Sequence, residues 1–419
     1  MIMCMKDIKL YSLLVCLCLL MQSCLFSEDD VFDQSSAQRA IASVNECREV
    51  LESAENGWAL KYYTGEDGVY GGFNIFAKFE GEYVTLASEV ATPNYEVGEY
   101  STSLFKVNSF QGTELSFDSH NELIHIFCEP NGYNDPGYAG DYEFIFRSLS
   151  KDKIVLTGKK HGVTLVMTPI SAGVDWKTEL TKIAVLAEDA AYNTFNLMIN
   201  GKEVVRMGRS ERAFTITTTD GAGQMTSESY PFIYTSDGAE MLDPLIVNGV
   251  EMSHFRWDSQ TATYTCVDDG VDAKIVFYCP EGYPKYVGNY ILQSDEGEVN
   301  CKLEEKRKGA TYSMKLTVRS VPIELVFDYN QDTDCIDVLS QIVGKINGFD
   351  LYFYPGYGTS LYPYAGVGFN GKVSVEDPMT ITFTYNNNNP SVNTILFIYS
   401  NNGYYLAGSI TNPVLVKQD

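Results

Sequence analysis

Apolar residues recur every three to four positions in two stretches of this chain and every second position through most of the rest. In residues 34–55 the apolar positions Ala37, Ala40, Ile41, Val44, Cys47, Val50, Leu51 and Ala54 share one helical face. Ser35 or Ser36 is placed to cap that helix, and Asn56-Gly57 to stop it. A second helix is predicted over 174–191, where Trp176, Leu180, Ile183, Ala184, Leu186, Ala187 and Ala191 line up. After the first helix come strands at 58–63, 72–79 and 83–86, then Thr113–Asp118, Leu123–Phe127, Tyr142–Arg147, Lys153–Gly158 and Thr164–Thr168. After the second they resume at 194–199 and 203–207 around Asn200-Gly201, a dipeptide suited to the tight hairpin turn, and continue to 273–278. From Val287-Gly288-Asn289-Tyr290 onward the pattern gives strands alone, among them 349–354, 395–399 and 404–408. The expected fold is mainly β: antiparallel meanders, barrel-like or strongly curved, with two helices and a C-terminal all-β module. The segments are a helix plus meander over 34–172, a second over 173–284, and the all-β module over 285–419. A helix followed by a meander occurs twice, which suggests two related halves.

The first 23 residues follow a different rule. Lys6 and Lys9 precede an apolar run from Leu10 to Met21, the length of a signal-peptide core and short for a bilayer span. Ser23-Cys24 closes the run in the manner of a bacterial lipoprotein signal, so 1–23 is read as a signal peptide and Cys24 as the lipidated first residue of the mature chain. The alternative is an ordinary signal peptide that happens to contain a cysteine. Residues 24–33 form an acidic tether. Within it Ser27-Glu28-Asp29-Asp30 resembles the export tag that takes Bacteroidetes lipoproteins to the outer face of the outer membrane, the alternative being a solvated tail. Several acyl chains anchor firmly, since each buried methylene contributes roughly 0.8 kcal/mol. The expected location is therefore the outer membrane, lipid-anchored and facing the cell exterior, with no transmembrane helix.

Composition narrows the function. A net charge of −25 excludes nucleic acid and an anionic lipid surface as partners. Tyrosine, at 29 residues, suits half-buried strands and also carbohydrate or peptide ligands, because the ring is flat and apolar with a polar tip. Four of the ten cysteines (Cys4, Cys16, Cys18, Cys24) belong to the leader and lipid site. The others, Cys47, Cys128, Cys266, Cys279, Cys301 and Cys335, are scattered without a Cys-x-x-Cys. They are read as free, mostly buried thiols, with a Cys279–Cys301 bridge as the alternative.

Several local motifs, Asn56-Gly57-Trp58, Gly71-Gly72-Phe73, Leu115-Ser116-Phe117-Asp118, His125-Ile126-Phe127, Gly140-Asp141-Tyr142-Glu143-Phe144, Gly158-Lys159-Lys160 and Leu242-Asp243-Pro244-Leu245, resemble domain-of-unknown-function family 4302 over most of the mature chain. The resemblance implies a Bacteroidetes lipoprotein often encoded beside a TonB-dependent SusC-like barrel and its SusD-like lipoprotein. It therefore implies an accessory role in capturing or importing a nutrient, and it carries no catalytic residues.

The search for chemistry finds little. There is no His-Glu-x-x-His, no Gly-x-Ser-x-Gly elbow and no phosphate-binding glycine loop. His120 and His125 fall on opposite faces if their segment is one strand, so a metal site with Asp118 or Glu122 is the lesser reading beside a turn histidine and a sheet histidine. Residues 328–334 begin like an EF-hand loop, but Thr333 stands where Gly is needed and Leu339 where a bidentate Glu is needed. That leaves a solvated hairpin turn, or else a loose calcium site. No cofactor and no metal are therefore assigned. Two aromatic segments read as loops are the better ligand candidates: 130–142, with Tyr133, Tyr138 and Tyr142, and 349–364, with Tyr352, Tyr354, Tyr357, Tyr362 and Tyr364. The alternative is that these rings close the ends of barrels. The leading expectation is a non-catalytic accessory protein that binds a glycan, a peptide or a metal complex. Its rivals are a docking module for a transporter or neighbouring lipoprotein, and a hydrolase with dispersed carboxylates. Mass spectrometry of protein extracted from its native membranes should give a chain that starts at an acylated Cys24; an intact leader, or release by buffer without detergent, would contradict the anchor.

Overall fold

Strand pairing closes the chain on itself three times. The computed structural model describes residues 35–418 except 110, 111, 131–136, 220, 222, 359, 365, 375, 376, 388 and 402. Residues 1–23, read above as a signal peptide, and Cys24, Ser27, Glu28, Asp29, Asp30 and Tyr133 lie outside the described residues.

Helix α1 (Ser36–Glu52) begins at a capping box in which Ser35 Oγ accepts from Gln38 N at 3.3 Å and Gln38 Oε1 accepts from Ser35 N at 3.0 Å. The first ring is then β1 (Trp58–Tyr63), β2 (Gly72–Glu80), β3 (Tyr83–Ser88), β4 (Ser101–Leu104) running on through Phe105 into β5 (Lys106–Ser109), β6 (Thr113–Ser116), β7 (Glu143–Leu149), β8 (Ile154–Gly158) and β9 (Thr164–Pro169). β9 pairs back to β1, so the ring is closed and has no free edge. Its interior is solid. Trp58, Leu60, Tyr62, Ile75, Leu86, Leu115, Phe144, Leu156 and Leu165 are all fully buried. Cys47, Val50 and Leu51 of α1 belong to the same core, against β2, β5 and β6.

The segment 123–127 is a correction to the sequence reading. It forms a short helix, α2 (Glu122–His125), rather than a strand. Asn121 caps it by accepting from Leu123 N at 3.2 Å, and Leu123, Ile124 and Phe127 drop into the barrel core. Apolar residues at 123, 124, 126 and 127 satisfy a helical turn as well as a strand, and so short a run cannot decide between them. The two helices expected from periodicity are both present, and this short one is a third.

Helix α3 (Trp176–Asp189) leads into the second ring. That ring is β10 (Thr194–Ile199), β11 (Lys202–Ser210), β12 (Ala213–Thr219), β13 (Met225–Tyr234), β14 (Gly238–Val247), β15 (Val250–Asp258), β16 (Thr263–Cys266) and β17 (Ala273–Phe277), which pairs back to β10. Asn200 and Gly201 have φ of 50° and 71° and turn the chain between β10 and β11, as the sequence predicts. The third ring is β18 (Gly288–Ser294), β19 (Gly297–Arg307), β20 (Thr311–Val318), β21 (Val321–Asn330), β22 (Cys335–Leu339), β26 (Gly368–Val373), β27 (Thr380–Tyr385) and β30 (Val414–Lys417). Four strands leave it to form a separate sheet: β23 (Gln341–Ile346), β24 (Phe349–Tyr357), β28 (Thr394–Ser400) and β29 (Tyr404–Thr411), with the short β25 (Ser360–Leu361) on β24.

Each ring is preceded by its own plug. α1 fills the first, and Ile183 with the partly buried Leu186 and Ala187 of α3 packs into the core of the second. For the third, a 3-10 turn at Tyr283–Tyr286 does the same with tyrosines: Tyr283 stacks on Tyr312 at 4.4 Å, and the Tyr312 hydroxyl donates to Tyr283 O at 2.7 Å. The sequence shows the plug pattern twice because a single 3-10 turn has no periodicity to detect. All six cysteines at 47, 128, 266, 279, 301 and 335 are free thiols.

The first two rings touch through one parallel bridge, Ile233 to Gly72. Gly71 and Gly72 permit it: a Cβ at Gly71 would lie 2.2 Å from Arg212 Cβ, and one at Gly72 would lie 2.7 Å from Ile233 Cβ. Beside the bridge, the Glu89 side chain is 0 % exposed and accepts from Asn74 N at 2.6 Å and from both Arg212 amino groups at 2.8 and 3.4 Å. Arg212 also donates to Gly72 O at 2.7 Å, and Asn74 Nδ2 donates to Tyr234 O at 2.9 Å, so both barrels are tied into one network. Glu89→Ala leaves a buried guanidinium unpaired and should lower stability by about 3–5 kcal/mol. Lys78→Ala, which breaks the exposed pair with Glu80, should cost less than about 1 kcal/mol. Urea unfolding followed by tryptophan fluorescence checks both.

Candidate functional site

A strand places alternate side chains on opposite faces, and β24 uses this to separate two roles. Leu351 and Phe353 point into the third core and are fully buried. Tyr352 and Tyr354 point the other way, with parallel rings (6° apart) whose centroids are 5.7 Å from each other. The sequence offers 349–354 both as a strand and as the start of an aromatic loop; the strand holds, and β24 runs on through Pro355 and Gly356 to Tyr357. Pro355 is tolerated in the strand and does not break it.

The register extends this face across the sheet. Tyr352 lies between Ile342 on β23 and Ile398 on β28, and Ile398 lies beside Leu406 on β29. Tyr354 pairs with Leu396, which is 1 % exposed, while Ile342 and Leu406 are 55 % and 41 % exposed. Burial raises the Tyr354 phenol above its ordinary value, with Tyr352 and Tyr404 adding to the shift. The result is an apolar sheet face on which Tyr352 and Tyr354 are half-buried beside the buried Leu396 and Ile398, with Ile342 and Leu406 exposed at its margins. Tyr404, at 71 % exposed, and Tyr405, which stacks on Tyr399 at 5.4 Å, were not picked out from the sequence. Their signal was present, two adjacent aromatics after Asn401-Asn402-Gly403, but period-two alternation hides which of such a pair faces out.

The remaining candidates divide. Tyr357 and Tyr364 are exposed. Tyr362 is half-buried against Tyr385 at 5.7 Å, and Asn389 Nδ2 donates to its hydroxyl at 3.5 Å. In the other aromatic segment Tyr138 packs edge-on to Phe73 at 5.0 Å and to Tyr70 at 5.9 Å, and belongs to the closure of the first barrel. Tyr142 is partly exposed but stacks on His125 at 5.0 Å. The structure therefore brings Tyr352 and Tyr354 together and assigns Tyr138 to packing. His120 and His125 are not on opposite faces as a strand would put them; helix α2 sets their rings 5.0 Å apart.

Below the tyrosine sheet, between it and the third ring, a cleft of about 410 Å³ is lined by Leu292, Val299, Leu316, Val318, Phe397 and Ile410, with Glu298 and Arg319 also on its wall. Elsewhere the reactive groups are occupied or silent. His254 Nδ1 lies 2.7 Å from Asp268, and Cys266 Sγ donates to the same carboxylate at 3.4 Å. Burial pushes the Cys266 thiol up to about 11, so this trio holds no thiolate near neutral pH. In the acidic hairpin turn Asn330 Oδ1 accepts from Asp332 N and Thr333 N, and Asp334 pairs with Lys285; the carboxylates point to separate partners. Among the described residues no cluster of three or more His, Cys, Asp or Glu could hold a metal, and no helix is long and apolar enough to cross a membrane.

Comparison with protein families gives a match over residues 28–259 to Domain of unknown function (DUF4302). The chain belongs to that family. The DUF4302 match takes in α1, the first ring and most of the second, and ends before β16. Every motif that carries the resemblance, from Asn56-Gly57-Trp58 to Leu242-Asp243-Pro244-Leu245, lies inside it, and the tyrosine face lies beyond it. No curated protein matches the chain.

Burial holds the His125 imidazole below its ordinary value of 6.5, and neighbouring His120 adds to this, while Asn121 and Glu129 oppose it. A histidine depressed by folding stabilises the protein above the unfolded value and loses that contribution as pH falls through the folded one. NMR titration should place His125 below 6.5, and unfolding midpoints should fall on acidification in that range, less so in His125→Gln.

Proposed function

We propose that this chain is a lipid-anchored, surface-exposed and non-catalytic accessory protein of an outer-membrane uptake system, and that its C-terminal sheet binds a glycan. The observation that carries the reading is the pair of parallel, half-exposed tyrosines, Tyr352 and Tyr354, on the face of β24 that turns away from the core. Sugar rings have apolar C–H faces and polar rims. A tyrosine matches both, and an aromatic contact of this kind contributes about 0.5–1.5 kcal/mol beyond burial. A strand fixes the rings more rigidly than a loop, so little side-chain entropy is lost on binding. The filled barrel interiors leave the outer surface as the place for a ligand. An anchor at Cys24 and the acidic Ser27–Asp30 tether would present that surface to the exterior, beside a TonB-dependent transporter and a SusD-like lipoprotein.

The exposed Ile342 and Leu406 favour a second reading, a docking face for one of those neighbours, since aliphatic side chains suit a protein partner better than a sugar. One experiment separates the two. Glycan and peptide panels are screened with the full chain, and Tyr352→Ala/Tyr354→Ala is compared with the original. The double change should weaken glycan binding at least about ten-fold, equivalent to roughly 1.4 kcal/mol. Absence of any glycan binding, with recovery of a transporter that Ile342→Glu abolishes, would replace the glycan by the protein partner.

A further inference from the structure

In a chain of net charge −25 with nine arginines, three of those arginines line one cavity. It lies where α3, the second ring and the third ring meet, has a volume of about 390 Å³, and is walled by Asn193, Arg209, Arg212, Tyr234, Arg307 and one carboxylate, Glu211. Arg212 is satisfied by Glu89 and Gly72 O and by the ring faces of Phe73 and Tyr234. The other two are not. Arg209 donates one amino group to the Tyr234 hydroxyl at 2.9 Å, but its Nε is buried with no hydrogen-bond partner among the described residues. Neither Arg209 nor Arg307 has a carboxylate within ion-pair distance among the described residues. Arg307 is held below its ordinary value by desolvation and by the like charge of Arg209, while Tyr234, Glu188 and Asp328 act against this.

Two guanidiniums facing one polar cavity repel each other, and a buried donor without an acceptor is left desolvated without compensation. An acidic chain with carboxylates to spare has not placed one between them. An anion entering the cavity would remove both costs at once. We propose that Arg209 and Arg307, with Asn193 beside them, form a binding site for a small oxyanion, a carboxylate or phosphate group, where α3 and the second and third barrels meet. The planar guanidinium forks suit such oxygens, and the cavity has room for a molecule of several heavy atoms. The site stands apart from the tyrosine sheet and does not depend on the glycan reading.

Isothermal titration calorimetry of the purified full chain in low-chloride buffer tests the site, with inorganic phosphate and citrate as separate probes. At least one should bind with one-to-one stoichiometry, and the stronger of the two identifies the oxyanion class. Arg209→Gln and Arg307→Gln should each weaken it ten-fold or more. Arg256→Gln makes the same charge change at an exposed position on β15 and should leave the affinity unchanged. Arg307 is exposed, so its substitution remains informative even if the Arg209 variant fails to fold. No binding by either probe, equal affinity in Arg307→Gln, or equal weakening in Arg256→Gln would overturn the site.

Discussion

The Glu89–Arg212 pair is the constraint on which the arrangement of the first two barrels rests. Removing two charges from water is costly, and only close, complete hydrogen bonding offsets it. Here the carboxylate is met by Asn74 and Arg212, and the guanidinium by Glu89, Gly72 O and two aromatic faces. Asn74 and Phe73 come from β2, Glu89 follows β3, Arg212 precedes β12 and Tyr234 ends β13, so no partner can shift without stranding another. Lys61 and Glu240, 2.5 Å apart, add a second link between the same two barrels. The Gly71-Gly72 pair is the steric half of the same constraint, since any side chain there would hold the strands apart before the ion pair could form.

Closure has a functional consequence. A barrel of about eight strands has room for side chains or for one small ligand. In this chain the cores of all three rings are packed with aromatic and aliphatic groups and each ring carries its own plug. Outer faces and junctions are thereby the places that a ligand could reach. The tyrosine sheet and the arginine cavity are of those two kinds. One is apolar and flat, and the other polar, concave and positive within an acidic chain, so they suit chemically different ligands.

Much of the fold is legible in the residue pattern alone. The 3.6-residue spacing of Val44, Cys47, Val50 and Leu51 locates α1, that of Trp176, Leu180 and Ile183 locates α3, and Asn200-Gly201 marks its hairpin. The misreadings share a cause. At 123–127 and at 355–357 the local signal is ambiguous: four apolar positions in five residues in one case, Pro and Gly inside a strand in the other. Packing decides both, by giving Leu123 and Ile124 a barrel mouth to fill and β24 a partner strand on each side. Of the aromatic candidates, sequence does not distinguish Tyr138, which packs inward, from Tyr354, which stands outward, because both are tyrosines near Pro and Gly.

By itself the sequence determined what is local: the alternation that makes strands, two amphipathic helices and a net charge of −25. Tertiary structure alone decided what is relational. Ring closure depends on which strand pairs with which across more than a hundred residues, as β1 does with β9. The meeting of Arg209, Arg212 and Arg307 depends on how one barrel sits on the next. Neither leaves a mark in local periodicity, because hydrogen-bond partners and charge neighbours far apart in the chain are chosen by packing.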